Sequence, residues 1–400
     1  MGTRLRVGAS GPWLATALLL SVGCTADVDS PQSVVSVTDS AGIEIVEHPA
    51  SQYAEVTAVP ITTLDAVSIG AVDGPPEELL YRVGTVKWID EESIIIANAR
   101  TEVRVYSQEG DFLRSFGRAG DGPGEFASIV GALPTDDGNV LVVDGQRRNF
   151  ALFDTTGGLL NSVQSGAGVP RSPDLVSSMV LAGKVTPVVF ANGPQIDRRT
   201  DTIVTVSAES GGRLAAVPLR GAYVWWALDQ GSGMTIPLGR TLSPASYVSA
   251  RAGHVVAGTS DEYELRVYDE GLGLRRIIRV SRPRTLVGPE LRAYYSKRFE
   301  EGGVPGHMRP PLMDSVPHFI DIEVDQVGRI WVRIEHGGDA PDLLWDVFSP
   351  DGRSLKRVQL PDGLEFRDAN RTSWVGLRTD DLGVEYLRIG SFSDSLWKAP

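Results

Sequence analysis

Hydrophobic and polar residues alternate along many short segments of this chain. In one of them Val103 and Val105 flank Arg104, and the same pattern recurs over residues 265–267. A period of two is typical of a β-strand with one buried face. Glycine or proline interrupts the runs about every 10–12 residues, and the runs are rich in valine, isoleucine and aromatic residues, which argues against helices. The pattern therefore predicts an all-β protein built from short strands.

A larger unit repeats six times along the sequence. Each copy has a small or acidic turn, a β-branched run, a second run that ends in a large apolar residue, and usually a glycine turn. The ends of the second runs are spaced 47, 53, 62, 80 and 41 residues apart, at Tyr106, Phe153, Val206, Tyr268, Phe348 and Ile389. A small sheet of this size cannot bury its own face, so such units pack side by side in a ring. Six copies predict a six-bladed β-propeller over residues 36–395.

The two ends of the repeat array suggest how the ring closes. Residues 34–48 and 56–69 are strand-like but precede the first complete unit, whereas the last unit lacks its outer strand. An open sheet edge invites aggregation. We therefore expect an N-terminal strand to complete the last blade.

The 80-residue step indicates an insertion between two late blades, over about residues 288–317. Residues 288–301 are predicted to form a short helix, because Pro289 is near the start and apolar residues share one side. A glycine- and proline-rich stretch follows it. The insertion either forms a lid over one face of the ring or caps the end of a blade.

Composition limits the partners. The chain of 400 residues is 42% hydrophobic, which is typical of a folded domain, and its net charge is −13. Residues 1–23 carry Arg4 and Arg6 and no acid, so without them the charge is about −15. Nucleic-acid binding requires a basic surface, so nucleic acid is not expected as a partner. The same balance disfavours electrostatic binding to anionic lipid.

The N-terminus has the features of an export signal. Arg4 and Arg6 precede a short apolar run at residues 13–20, which is too short to span a bilayer. It leads to Gly23 and Cys24, the only cysteine of the chain. The segment resembles a bacterial lipoprotein signal, although Ser21 stands where leucine is usual. The resemblance implies removal of residues 1–23 and lipid attachment to Cys24.

Residues 24–35 would then be a polar tether. The protein would be exported and held on a bacterial membrane, facing the periplasm or the cell surface. Two alternatives remain open for this segment: ordinary signal-peptidase cleavage, and a buried free cysteine.

The wider chain also resembles a family. The stretch "VRVYSQEGDFLRSFG" followed by "RAGDGPGEF" is similar to the strand and turn signature of NHL-type repeats. Over roughly residues 35–395 the chain resembles six-bladed propeller lipoproteins of environmental bacteria. The resemblance implies a fold and an anchor, and it implies no particular reaction.

Local motifs for catalysis or metal binding are absent from the sequence. None of the five histidines forms a pair with metal-ligand spacing, and no GxSxG motif occurs. Distant histidines can still converge on a propeller axis, which makes His254 and His318 candidate ligand-binding residues. The turn at residues 135–139 resembles a calcium loop but lacks the complete set of oxygen ligands. No metal or cofactor is therefore predicted, and an axial calcium ion remains an alternative.

Two further candidates for ligand binding are Arg118 and Trp226. Arg118 lies in a glycine-rich loop that lacks the spacing of a phosphate-binding loop, so the glycines indicate a junction between blades. Its guanidinium either pairs with Asp121 or Glu125 or binds an anionic ligand at the channel mouth. Trp225 and Trp226 must point to opposite faces if they lie in a strand, so one of them is a candidate exposed ligand site. We predict that this residue is Trp226.

These features favour a membrane-anchored propeller that binds a protein or a small-molecule ligand. The alternative is an enzyme, since related propellers include hydrolases, lyases and sugar dehydrogenases with a metal on the axis. That alternative rests on analogy of fold. Inward-facing Glu, Asn, Asp or His at the inner strands of several blades would favour it.

Overall fold

The computed structural model describes residues 34–177, 179–186, 195–228, 235–337, 343–393 and 396–397. Short elements come first along the chain: β1 (Ser36–Ser40), β2 (Ile43–His48), α1 (Ala50–Glu55), β3 (Ala58–Pro60) and β4 (Val67–Ile69). Three blades follow, each with its innermost strand first. Blade 1 contains β5 (Val86–Trp88), β6 (Ser93–Asn98), β7 (Glu102–Ser107) and β8 (Phe112–Phe116). The paired short strands β9 (Arg118–Ala119) and β10 (Glu125–Phe126) lead to blade 2, which contains β11 (Ile129–Pro134), β12 (Val140–Asp144), β13 (Asn149–Phe153) and β14 (Leu159–Gln164).

Blade 3 has two unusually long strands. It contains β15 (Arg171–Ser177), β16 (Val180–Val185), β17 (Gln195–Ser207), β18 (Arg213–Leu228) and β19 (Thr235–Gly239). The first residues of β17 and the last residues of β18 extend beyond β16 and pair with each other, and β19 pairs with the end of β18. This three-stranded extension is called the blade 3 protrusion.

The last three blades complete the ring. Blade 4 contains β20 (Ser246–Arg251), β21 (His254–Thr259), β22 (Glu264–Tyr268) and β23 (Leu274–Val280). Helix α2 (Pro289–Glu301) lies in the insertion before blade 5, which contains β24 (Phe319–Val324), β25 (Ile330–Ile334), β26 (Leu343–Phe348) and β27 (Leu355–Leu360). Blade 6 contains β28 (Leu364–Ala369), β29 (Ser373–Thr379) and β30 (Glu385–Ser391). The six-bladed propeller predicted from the repeats is confirmed, and so is the helical insertion.

The N-terminal strands cover the outer edges of three consecutive blades. β4 pairs antiparallel with β30 and completes blade 6, as the sequence predicts. Two further pairings are not predicted. β2 adds to β23 in parallel and brings β1 with it onto blade 4, and β3 adds in parallel to β27 of blade 5. Residues 36–69 therefore protect the edges of blades 4, 5 and 6.

The strand order defines two faces of the ring. Each innermost strand starts at the face that carries the connections between blades, which we call the connection face. The insertion, residues 281–318, connects blade 4 to blade 5 and therefore belongs to this face. The blade 3 protrusion rises on the same face, and Arg240 just beyond β19 donates hydrogen bonds to the carbonyl oxygens of Pro311 and Leu312, each at 2.9 Å.

Large apolar side chains fill the spaces between neighbouring blades. Trp88, Trp331 and Trp374 are completely buried. Trp331 packs edge to face on Trp345, with ring centroids 6.5 Å apart, so this pair belongs to the core. In the part of the chain that the structure describes, no helix is long and apolar enough to cross a membrane.

Candidate functional site

Charged side chains and one serine hydroxyl from the innermost strands meet at the propeller axis. Each charged residue lies in the middle or at the end of a strand in which at least half of the other residues are buried. They belong to five of the six blades and form what we call the axial cluster: Lys87, Asp174, Ser249, Arg251, Glu323 and Asp368. The ring geometry brings them together because every innermost strand faces the same channel.

Lys87 is the centre of the axial cluster. Its Nζ lies 3.3 Å from Asp174 Oδ1 and 3.3 Å from Glu323 Oε2. Ser249 Oγ donates to Asp174 Oδ2 at 3.0 Å and accepts from the backbone N–H of Val324 at 3.0 Å. One ammonium group and one hydroxyl thus join blades 1, 3, 4 and 5.

A second ion pair joins the remaining side of the axis. Arg251 Nη1 lies 2.6 Å from Asp368 Oδ2, and its Nη2 donates to the carbonyl oxygen of Trp88 at 2.6 Å. The backbone N–H of Trp88 donates to the same Asp368 oxygen at 2.8 Å. Blades 1, 4 and 6 are therefore held together by hydrogen-bonded charges, which compensates for their removal from water.

The charges of the axial cluster balance when one carboxylate carries a proton. Burial raises the pKa of Glu323 to about 8, against the effect of Lys87, and Asp174, Asp321 and Asp368 add to the rise. Burial acts to lower the pKa of Lys87, but Asp174 and Glu323 outweigh it and raise that pKa. With Glu323 protonated, two cations face two carboxylates, so no unpaired charge is left at the axis.

The axial cluster divides the channel into two cavities. The connection-side cavity has a volume of about 470 Å³, and the opposite-side cavity has a volume of about 380 Å³. Lys87 and Asp174 line both. Both volumes are within the range of small-molecule sites.

The wall of the connection-side cavity contains two neighbouring cations. Arg171 and Lys184 are directly opposite each other on β15 and β16, and both line the cavity. Lys184 Nζ donates to the carbonyl oxygen of Ser246 at 2.7 Å and lies 3.7 Å from Asp201 Oδ2. Burial lowers the pKa of Lys184; Asp201 opposes the lowering, and the charge of Arg171 adds to it.

Arg171 differs from most arginines of this protein. Its side chain is exposed to the cavity, and no carboxylate among the described residues pairs with it. Arg367 reaches the same cavity from blade 6. Burial raises the pKa of Asp321, another lining residue, and Glu323, which also lines the cavity, has its pKa raised to about 8. The connection-side cavity therefore favours an anionic group.

The opposite-side cavity has a mixed polar and apolar lining, and most of its charged groups are already paired. Arg251 and Asp174, which line it, are engaged in the axial cluster, although Gln326 Oε1 is buried without a hydrogen-bond partner in the described structure. The neighbouring turn at residues 135–139 is closed by its own side chains, since Asn139 Nδ2 donates to Asp137 Oδ2 at 2.8 Å. The carboxylate of Asp137 is thus already hydrogen-bonded within the turn.

The structure places the four predicted ligand residues apart from one another. Arg118 is exposed on the connection face, and its Nη2 lies 2.7 Å from Glu125 Oε1, which is one of the two pairings that the sequence suggests. Arg147 braces this loop from blade 2 through Asp121 and through the carbonyl oxygen of Glu125 at 3.0 Å. The glycine-rich loop is a junction between blades.

The two histidines occupy opposite faces. His254 starts β21, the second strand of blade 4, and is exposed at the face opposite the connections. His318 is buried at the end of the insertion, where burial, together with Arg282 and Arg284, lowers its pKa to about 4. His318 is therefore neutral at physiological pH.

Trp226 belongs to the blade 3 protrusion. Only 2% of it is exposed, whereas its neighbour Trp225 is partly exposed. The two tryptophans do point to opposite faces, but Trp225 is the one that is partly exposed. None of Arg118, His254, His318 and Trp226 is among the described residues that line the two axial cavities. Cys24 and the segment before it lie outside the described residues.

The residues that do meet at the axis were missed from the sequence. Their one local signal is a charge inside an apolar strand, as in Val86-Lys87-Trp88 and Ile322-Glu323-Val324. Acidic side chains that point inward from several innermost strands were expected only if the protein is an enzyme with a metal on the axis. Here Lys87 and Arg251 occupy the space between those acids.

Comparison with known proteins agrees with the architecture. A family model described as a six-bladed beta-propeller matches residues 33–165. A Bacteroides fragilis protein described as exported shares 9% identity, covering 91% of this chain and 98% of its own, with a TM-score of 0.43. A member of the DUF4221 family from Bacteroides vulgatus shares 11% identity, covering 84% and 99%, with a TM-score of 0.45. No curated protein matches the sequence.

Proposed function

We propose that this propeller is a lipid-anchored binding module of a bacterial envelope, and that its connection-side cavity binds a small molecule with an anionic group. A β-propeller is compatible with a binding module. The observation that carries the proposal is the cross-strand pair Arg171 and Lys184 in the wall of that cavity.

Two like charges directly opposite each other destabilise a strand pair. An anion between them removes the repulsion and gains charge-assisted hydrogen bonds from both side chains. Arg367 also lines the cavity, but its Nη2 already pairs with Glu365 Oε2 at 2.7 Å, so Arg171 and Lys184 carry the proposal. A carboxylate or phosphate group is therefore the chemistry that this wall recognises best.

The same geometry argues against calcium at the axis. A calcium ion requires several free carboxylate or carbonyl oxygens. Asp174 and Glu323 are both within 3.3 Å of the Lys87 ammonium, which already supplies a positive charge there. Among the described residues, no group of three or more His, Cys, Asp or Glu is arranged to hold a metal ion. EDTA followed by added calcium should leave the melting temperature unchanged. A shift of several degrees would instead support a metal ion on the axis.

The binding site is tested with a panel of small carboxylates, phosphates and sugar phosphates at constant ionic strength. A ligand that binds only the folded state raises the melting temperature. We expect that rise to disappear in Arg171→Ala and Lys184→Met. Arg118→Ala is the matched control, since Arg118 is a cation on the same face that Glu125 already neutralises. Stabilisation that persists in Arg171→Ala but disappears in Arg118→Ala would contradict the proposal.

The anchor is tested separately in cells. Wild-type protein should incorporate labelled palmitate and fractionate with membranes. Cys24→Ser should incorporate none and should appear in the soluble fraction. Equal membrane fractionation of both proteins would contradict lipid attachment at Cys24.

One observation favours a second candidate, a hydrolase or lyase that uses no metal. Glu323 has its pKa raised to about 8 and lines the connection-side cavity, which suits a general acid or base near neutral pH. Glu323→Gln separates the two functions. If the bound anion is converted by the wild type but only bound by the variant, the protein is an enzyme; if neither converts it, the binding function stands.

A further inference from the structure

The first described residues lie next to the start of the insertion. Val34 and Ser36 line a groove together with Val280 and Ser281, the residues at which blade 4 ends and the insertion starts. β23 is the fourth strand of blade 4 and ends at the connection face. β2 runs parallel to β23, and β1 runs antiparallel to β2. The N-terminal end of β1 is therefore at the connection face.

The tether is short. Cys24 and Val34 are ten positions apart, and a fully extended chain spans about 3.5 Å per residue, or roughly 35 Å in total. A lipid on Cys24 thus keeps the groove at blade 4, and with it the root of the insertion, within that distance of the bilayer.

The insertion has the chemistry of a surface that meets lipid headgroups. Residues 281–318 contain six Lys and Arg and four Asp and Glu, so they are basic within a chain of net charge −13. Leu286 is 74% exposed at the root. Helix α2 buries none of its residues completely; it carries partly buried Tyr295 and Phe299 and exposed Lys297. Aromatic residues sit well at the headgroup level, and basic residues are attracted to anionic lipids.

We propose that the insertion, residues 281–318, is the surface of the anchored protein that contacts the bilayer. This inference rests on the lipid attachment proposed above. Leu286 and one side of α2 touch the headgroup region, while the blades extend away from it. The connection face, including the mouth of its cavity, is then turned toward the membrane.

The single cysteine makes this arrangement testable in the full-length protein. Lipid attachment blocks the thiol of Cys24, so an introduced cysteine is the only one that reacts with a bimane probe. Leu286→Cys and Ser296→Cys report on the insertion. Thr155→Cys is the control, since it is exposed in a turn of blade 2 at the opposite face. Each lipidated variant is reconstituted into phosphatidylethanolamine vesicles containing about one quarter phosphatidylglycerol, with or without headgroup-level nitroxide lipids.

We expect nitroxide lipids to quench the probes at positions 286 and 296 at least threefold more than the probe at position 155. We also expect Lys297→Glu in the Ser296→Cys background to reduce that quenching. Equal, weak quenching at all three positions would overturn the membrane contact while leaving the anchor intact. Bimane labelling of the wild type at Cys24 would instead overturn the anchor, and this inference with it.

Discussion

The axial cluster, which forms the waist of the channel, and the wall of the connection-side cavity differ in how their charges are compensated. At the waist, Lys87 lies between Asp174 and Glu323, and each charge has a partner on another blade. In the cavity wall, Arg171 faces Lys184 across a strand pair, and no described carboxylate neutralises Arg171. Compensated charges hold the ring together, whereas the uncompensated charge of Arg171 beside Lys184 costs stability and is useful only when a ligand supplies the missing charge.

Lys87→Met should produce the largest effect on the waist. It leaves Asp174 without its main cation in a buried position, and breaking a buried pair costs about 3–5 kcal/mol. The free energy of unfolding, measured by urea denaturation, should fall by that amount. Lys297→Met, a control at a side chain that is 76% exposed, should change it by less than about 0.5 kcal/mol. Equal stability of the two variants would show that the waist is not structural.

The proton on Glu323 should appear as a pH dependence of stability. Its pKa is about 8 in the folded state and near 4.5 in the unfolded state, so the folded protein holds the extra proton between these values. Stability should therefore fall as pH rises through this range and level off above about pH 8. Glu323→Gln should remove this slope.

The useful window for that measurement is pH 6.5 to 8.5. His318 has a folded pKa of about 4 and an unfolded value near 6.5, so its contribution is complete above pH 6.5 and is lost only as pH falls. Melting temperatures of wild type and Glu323→Gln are compared across the window. Parallel curves would mean that Glu323 does not carry the proton.

The smallest effect is expected from Arg171→Ala without ligand. Removing one of two repelling cations should leave the free energy of unfolding unchanged or raise it by up to about 0.5 kcal/mol. Arg118→Ala, which removes an exposed ion pair instead, should lower it by about 0–1 kcal/mol. A clear loss of stability in Arg171→Ala would show that this arginine is structural, and the contrast with the waist would disappear.

The blades could be predicted because their signal is local. Alternation such as Val103-Arg104-Val105 and the recurrence of the unit can be read directly from the sequence. Ring closure by β4 follows because one strand is left over at the N-terminal end of the repeats and one is missing at the C-terminal end. The parallel additions of β2 and β3 to blades 4 and 5 could not be predicted in this way. Those blades already have four strands, so nothing in their own sequence requires a fifth.

The site could not be predicted because it is not local. Lys87, Asp174 and Glu323 are separated by 87 and 149 residues, and only closure of the ring makes them neighbours. The pair Arg171 and Lys184 required the strand register, which a shift of one residue would change. The sequence directed attention to rare residue types instead, such as His318 and Trp226, and the structure buries both in packing.

The binding proposal depends on an uncompensated positive charge at Arg171 in the wall of the connection-side cavity. It is tested most directly by soaking crystals in bromide and computing an anomalous difference map. We expect a peak between the Arg171 guanidinium and the Lys184 ammonium in the wild type, its loss in Arg171→Ala, and no peak beside Lys87. Peaks at exposed arginines such as Arg118, with none between Arg171 and Lys184, would contradict it.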